Sequence, residues 1–111
     1  MTPREELIWL AWLLEGEGCF DATHNGAPKR PPYPRIRIRM TDEDVVARAG
    51  KLMGKEPRRG HTPFQQARGW QPTYEVAIQG AKAVAMMEAV LPFMGHRRSE
   101  KIRALLKEYA A

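Results

Sequence analysis

The stretch Leu10-Ala11-Trp12-Leu13-Leu14-Glu15-Gly16-Glu17-Gly18 ends an apolar helix on two acids spaced by glycine and runs straight into Cys19-Phe20, which opens a strand. The helix before it, from Pro3 to about Glu15, is apolar on every side. Leu7, Leu10, Ala11 and Leu14 form one stripe at helical spacing, and Ile8, Trp9, Trp12 and Leu13 cover its flanks. A helix apolar all round is buried on more than one side. This one is too short to cross a bilayer, and Arg4, Glu5 and Glu6 stand at its start. One side is therefore expected to meet the domain's own core and the other a second copy of the chain.

The acids fall at the wrong end for a helix. Glu15 and Glu17 come where the dipole is negative, a placement that costs a few tenths to ~1 kcal/mol. Gly16 and Gly18 allow a tight turn and a close backbone approach. If two such helices pack side by side, two Glu17 carboxylates converge, which is unfavourable unless a cation joins them. A divalent metal held by carboxylate and carbonyl oxygens would serve. A solvated acidic turn after a core helix accounts for the same nine residues equally well.

Those residues, with Cys19-Phe20 after them, resemble the LAGLIDADG motif of homing endonucleases in a Glu-Gly-Glu-Gly variant. The similarity continues along the chain. Ile36 to Val46 resembles the family's second strand and following helix, Tyr74 to Gly80 its last strand, and Leu91 to Ile102 its C-terminal helical part. One copy of the motif is present, as in the single-motif, homodimeric branch. Trp12 departs from the family, which usually carries a small residue there. An indole at that point should push paired helices apart or change their crossing.

Composition agrees with an anionic partner. The chain has 111 residues, enough for one domain spanning 1–111, and a formal charge of +5. A pair would carry twice that charge, which favours nucleic acid. One cysteine rules out an internal disulfide framework, and Cys19 is expected as a small buried hydrophobe. His24, His61 and His96 are too far apart in sequence for a zinc motif. No signal peptide or membrane segment is visible, so a cytoplasmic or nucleoid location is expected.

From its start, the chain reads as follows. Thr2-Pro3-Arg4-Glu5 is a helix start with a capping box. Strand one is expected over Cys19 to Thr23 or His24. The proline-rich run 25–34 is expected as a loop, with Lys29, Arg30 and Tyr33 placed to touch phosphate. In the next strand Ile36, Ile38 and Met40 alternate with Arg35, Arg37 and Arg39. Such alternation usually means a solvated charged face. Three arginines in a row also suit phosphate and guanine edges. Thr41-Asp42-Glu43-Asp44 starts a helix with a stripe of Val45, Val46, Ala49, Leu52 and Met53, closed by Gly54. Arg58 and Arg59 suggest a short basic strand, and 62–72, with Arg68 and Trp70, a loop or hairpin tip. Strand four is Thr73 to Gln79, with Gln79 a solvated residue or a reader of base edges. Helices follow over about Ala81 to Leu91 and His96 to Tyr109. The second begins with Arg97, Arg98 and Lys101, where the dipole disfavours cations.

The fold class expected is α+β, ordered α-β-β-α-β-β-α-α, with helices on one face of a four-stranded antiparallel sheet and a DNA-binding saddle on the other. The resemblance implies a homing endonuclease that cuts both strands of a long pseudo-palindromic duplex as a homodimer paired through Ile8, Ala11, Trp12 and Glu15. Glu17 and the Gly16 carbonyl would bind Mg²⁺, with Mn²⁺ or Ca²⁺ able to take the same site. Arg97, or Lys101 one turn further on, would stabilise phosphate charge. Asp42, which also has a sufficient explanation as a helix-start acid, matches a position near the family's active site. DNA contacts are expected from Lys29, Arg30, Arg35, Arg37, Arg39, Arg58, Arg59, Arg68 and Gln79. A non-cleaving DNA-binding regulator and an intron RNA maturase are the alternatives, since both would keep the basic face without needing Glu17.

Overall fold

The computed structural model describes residues 1–23, 33–60 and 62–110. Helix α1 covers Pro3–Glu17, and the expected capping box forms at its start: Thr2 Oγ1 accepts from the Glu5 amide while Glu5 accepts from the Thr2 amide. The helix runs one turn-fraction further than its apolar stripe, so both acids lie within it. Strand β1 is Gly18–Thr23 and β2 is Tyr33–Met40. The latter begins earlier than the proline count suggests. Pro34 is tolerated because it lies opposite Ala22 near the strand's start, and its carbonyl still accepts from Gly80.

Helix α2, Glu43–Met53, is closed by Gly54 in the left-handed conformation with φ 75°. Its buried side is Val46, Ala49, Gly50 and Met53, with Val45 and Leu52 half-buried. After the short edge strand β3, Arg58–Gly60, comes an element the sequence pattern did not reveal. Helix α3, Pro63–Ala67, is a five-residue turn with its own capping box between Thr62 and Gln65. Strand β4, Thr73–Gln79, helix α4, Ala81–Val90, a 3₁₀ turn at Leu91–Phe93 and helix α5, His96–Ala110, complete the chain.

The sheet is antiparallel in the order β1-β2-β4-β3. Its register sorts the side chains. Phe20, Ile36, Ile38, Val76 and Ile78 point to the helices and are buried with Leu10, Leu14, Val46, Met87 and Ile102. The opposite face is open, and Cys19, Asp21, Arg35, Arg37, Arg39, Glu75 and Gln79 stand on it. Cys19 is thus half-exposed beside Arg37 rather than in the core, because Phe20 takes the inward position. Among the described residues no helix is long and apolar enough to cross a membrane.

The junction between α1 and β1 has no spare room. A Cβ on Gly18 would lie 2.6 Å from the Leu14 carbonyl oxygen and 2.9 Å from Leu14 Cα, whereas one on Gly16 would meet nothing within 4 Å. Gly18→Ala should therefore force the backbone apart and cost ~1–3 kcal/mol. Gly16→Ala should be neutral or stabilise the helix by up to about 1 kcal/mol. Urea titration of the two variants beside the wild type checks the contrast.

Candidate nucleic-acid interface and acidic turn

Two surfaces meet at the end of α1. The first is the last turn of the helix itself. Gly16 and Glu17 are exposed, and no basic residue occupies that turn. The Glu17 carboxylate makes no hydrogen bond or ion pair among the described residues. Glu15 behaves differently. It accepts from the Gly95 amide at 3.3 Å, so it ties α1 to the start of α5. It is half-buried there. The expected place of Ala11 on a pairing face is corrected. It is fully buried in the protomer's own core, because it shares the inward stripe with Leu10 and Leu14. What remains open on α1 is a line of half-buried Ile8, Trp12 at 75% exposure, and Gly16.

The basic start of α5 is brought to this turn. Gly18, Cys19, Phe20, Arg97, Arg98 and Lys101 line one shallow hollow. Arg97 and Lys101, both singled out from sequence, are exposed there. Arg98 is the residue that sequence reasoning passed over. It is half-buried, its guanidinium donates to the Gly18 carbonyl oxygen, and it lies 5.7 Å from the Phe20 ring centroid. Its Nε is buried without a partner among the described residues. Arg98 thus clamps the α1–β1 junction from below, leaving Arg97 and Lys101 free to face solvent. The only sequence signal for it was the run of cations at a helix start, which cannot say which member turns inward. Asp42 precedes α2 as its N-cap residue, is exposed, and makes no side-chain cap bond. It does not line the hollow beside Gly18.

The second surface is the open sheet face. The arginine row is there as expected, but it is interleaved with carboxylates. Arg35 makes a two-pronged pair with Asp21, Nε to Oδ1 and Nη2 to Oδ2, both at 2.8 Å. Glu75 lies between Arg37 at 3.7 Å and Arg39 at 3.5 Å. These two acids reduce the mutual repulsion of the row. Arg58 stands on the same face, opposite Glu75, and Gln79 is opposite Arg35. Arg59 is opposite Tyr74, so the strand's alternation turns it to the other side of the sheet from Arg58. Arg68 is exposed beyond α3, against Phe64 and Trp70. Lys29 and Arg30 lie outside the described residues.

The Arg35 guanidinium holds the Asp21 carboxyl below the usual carboxylate range. Arg37 and Lys101 act in the same direction from further away. Lys101 therefore faces both surfaces, which places the α5 cations at the border between the acidic turn and the arginine row.

No family model matches this sequence, and no curated protein matches it significantly. Solved structures do share its fold. The homing endonuclease I-CvuI, bound to its target in the presence of Ca, aligns over 95% of this chain with a TM-score of 0.72 at 14% identity. The same enzyme with an I-CreI target and Mg, in which the DNA is not cleaved, gives 0.69 at 13% identity. The group I intron-encoded I-CeuI, complexed with DNA, gives 0.63 at 18% identity over 96% of this chain. The chain spans 66% of the I-CvuI chains and 56% of I-CeuI. Its fold is that of the LAGLIDADG homing endonucleases.

The Asp21–Arg35 pair has a pH signature. A carboxyl depressed in the folded state adds stability that is fully present above its unfolded value, near 4, and is lost as pH falls through the folded value. Asp21→Asn should lose about 1 kcal/mol at neutral pH and little further at pH 3. Urea midpoints of both proteins from pH 7 down to pH 3 should converge at the acid end.

Proposed function

We propose that this chain is a DNA endonuclease of the homing type, cutting both strands of a long pseudo-palindromic duplex as a homodimer by metal-dependent hydrolysis. The observation that carries the proposal is Glu17. It is an exposed carboxylate, unpaired among the described residues, in the last turn of a helix, where the dipole disfavours it and the turn holds no cation. It stands where an open helix face, an arginine-bearing sheet face and a basic helix start adjoin, on a fold shared with proteins solved on DNA.

The donor set suits a hard cation. Among the described residues no three His, Cys, Asp or Glu side chains gather into a metal cage. One carboxylate with the Gly16 carbonyl matches instead an ion such as Mg²⁺, which keeps waters and takes substrate phosphate oxygens. When bound, such an ion lowers the pKa of attacking water and stabilises the oxygens of the reacting phosphate. Glu17 and the Gly16 carbonyl would hold the ion. Arg97 and Lys101, exposed at the start of α5, would offset negative charge building on the phosphate. Arg35, Arg37 and Arg39 track the duplex backbone, exchanging Asp21 and Glu75 for phosphates.

Pairing goes through the open line of α1. Trp12 buries about 150–250 Å² of apolar surface when covered, enough to dominate a small interface. It also holds the two helices further apart than a small residue would. A two-fold pair places one Glu17 from each protomer at the base of the helices and makes the two sheet faces continuous.

Incubating the wild type with a genomic DNA library and Mg²⁺ should yield discrete double-strand breaks, and Glu17→Gln should bind the recovered site without cutting it. Bound sequences left uncut by both proteins would assign the fold to binding alone. Trp12→Glu should sediment as a monomer at concentrations where the wild type is a dimer. An unchanged sedimentation coefficient would remove α1 from the interface.

A further inference from the structure

The connection from β3 to β4 holds a cluster that the cleavage chemistry leaves unused. Phe64 and Trp70 are 58% and 52% exposed, with ring centroids 5.9 Å apart and planes at 85°. The Arg68 guanidinium lies 4.4 Å from the Phe64 centroid and 5.9 Å from that of Trp70. These groups are held in place rather than loosely displayed. The Thr62–Gln65 capping box closes the turn before Phe64, and the Trp70 amide donates to the Gln65 carbonyl at 3.0 Å. Large apolar rings kept this exposed on a short, braced tip are suited to meeting a flat partner.

The same connection borders a cavity of about 230 Å³, lined by Arg39, Arg58, Arg59, Thr62, Gln65 and Thr73. Thr62 and Gln65, on its wall, also form the capping box of α3, the helix that carries Phe64. Glu75 is the one carboxylate on the wall, and it already serves Arg37 and Arg39. Arg58 and Arg59 have no carboxylate partner among the described residues. Arg39 and Arg58 share the open sheet face with Glu75, and Arg68 stands exposed on the connection that follows β3. That balance asks for an anion, and the exposed rings of the same connection ask for a planar apolar group.

We propose that this tip binds one unstacked nucleotide of a DNA strand, its phosphate in the arginine cavity and its base against Phe64 and Trp70. Base–aromatic stacking beside a positive groove is the usual way proteins hold single strands. The site would hold a nucleotide out of the duplex at the flank of the sheet. The proposal rests on the DNA-binding part of the function proposed above and is independent of Glu17.

The test uses fluorescence anisotropy of a labelled oligothymidylate and of an abasic strand of equal length and charge. The wild type should bind the base-bearing strand more tightly. Trp70→Ala should weaken that binding about 5- to 100-fold and leave the abasic strand unaffected. Trp70→Phe should restore most of the loss. Arg58→Ala should weaken both strands and lower the salt slope by about 0.7. Equal binding of the two strands by the wild type, or no effect of Trp70→Ala, would overturn the proposal. So would Trp70-dependent binding to anionic phosphatidylserine vesicles in place of the strand. The two proposals fail separately. Glu17→Gln keeps strand binding if the tip is a nucleotide site, whatever becomes of cleavage. Trp70→Ala that still cuts duplex, with unchanged strand binding, removes the tip alone.

Discussion

The close contact between Gly18 and Leu14 is the constraint on which the rest depends. The helix must end and the strand begin within one residue, and only a residue without Cβ fits against the Leu14 backbone. That abrupt change of direction puts Glu17 at the rim of the sheet instead of along a longer loop. Arg98 secures the change by donating to the Gly18 carbonyl, and Glu15 secures it again through the Gly95 amide. The start of α5 is therefore anchored to the end of α1 at two points. The cations beside it, Arg97 and Lys101, inherit their place around the hollow at Gly18 from those anchors.

The open sheet face shows a second balance. A row of unneutralised arginines would strain the sheet by mutual repulsion, and a row fully paired would have nothing left for a ligand. Asp21 and Glu75 take a middle course. One forms a two-pronged pair with Arg35, and the other is shared loosely between Arg37 and Arg39. Pairs this exposed contribute little to stability and exchange readily for phosphate. The face can thus fold without an added anion and still keep a net positive charge.

Much of this was legible beforehand because the signals are local. Thr2-Pro3-Arg4-Glu5 is a helix start wherever it occurs, and Ile36-Arg37-Ile38-Arg39 is a two-faced strand by its period alone. Helix α3 was not legible, since five residues give no period, although Thr62-Pro63-Phe64-Gln65 carries the same cap chemistry as the chain's first four residues. Arg59 was grouped with Arg58 because adjacent basic residues look alike in sequence, yet adjacent strand residues face opposite ways. Ala11 was placed on a pairing face because the helix is apolar all round. Which side of such a helix is inward depends on the azimuth at which it meets the sheet.

The order of the longer helices and of the strands, the alternation of the arginine strand and the glycine-spaced acids at a helix end follow from sequence alone, since each depends on neighbours within a few residues. Tertiary structure decided which side chains those elements share. It turned Arg98 rather than Arg97 to the Gly18 carbonyl, 80 residues away in the chain. It set Asp21 against Arg35, and it brought Arg39 of β2 and Arg58 of β3 to the wall of one cavity. These contacts join segments far apart in sequence, and their geometry is set by how helices pack on a twisted sheet, which no local pattern encodes.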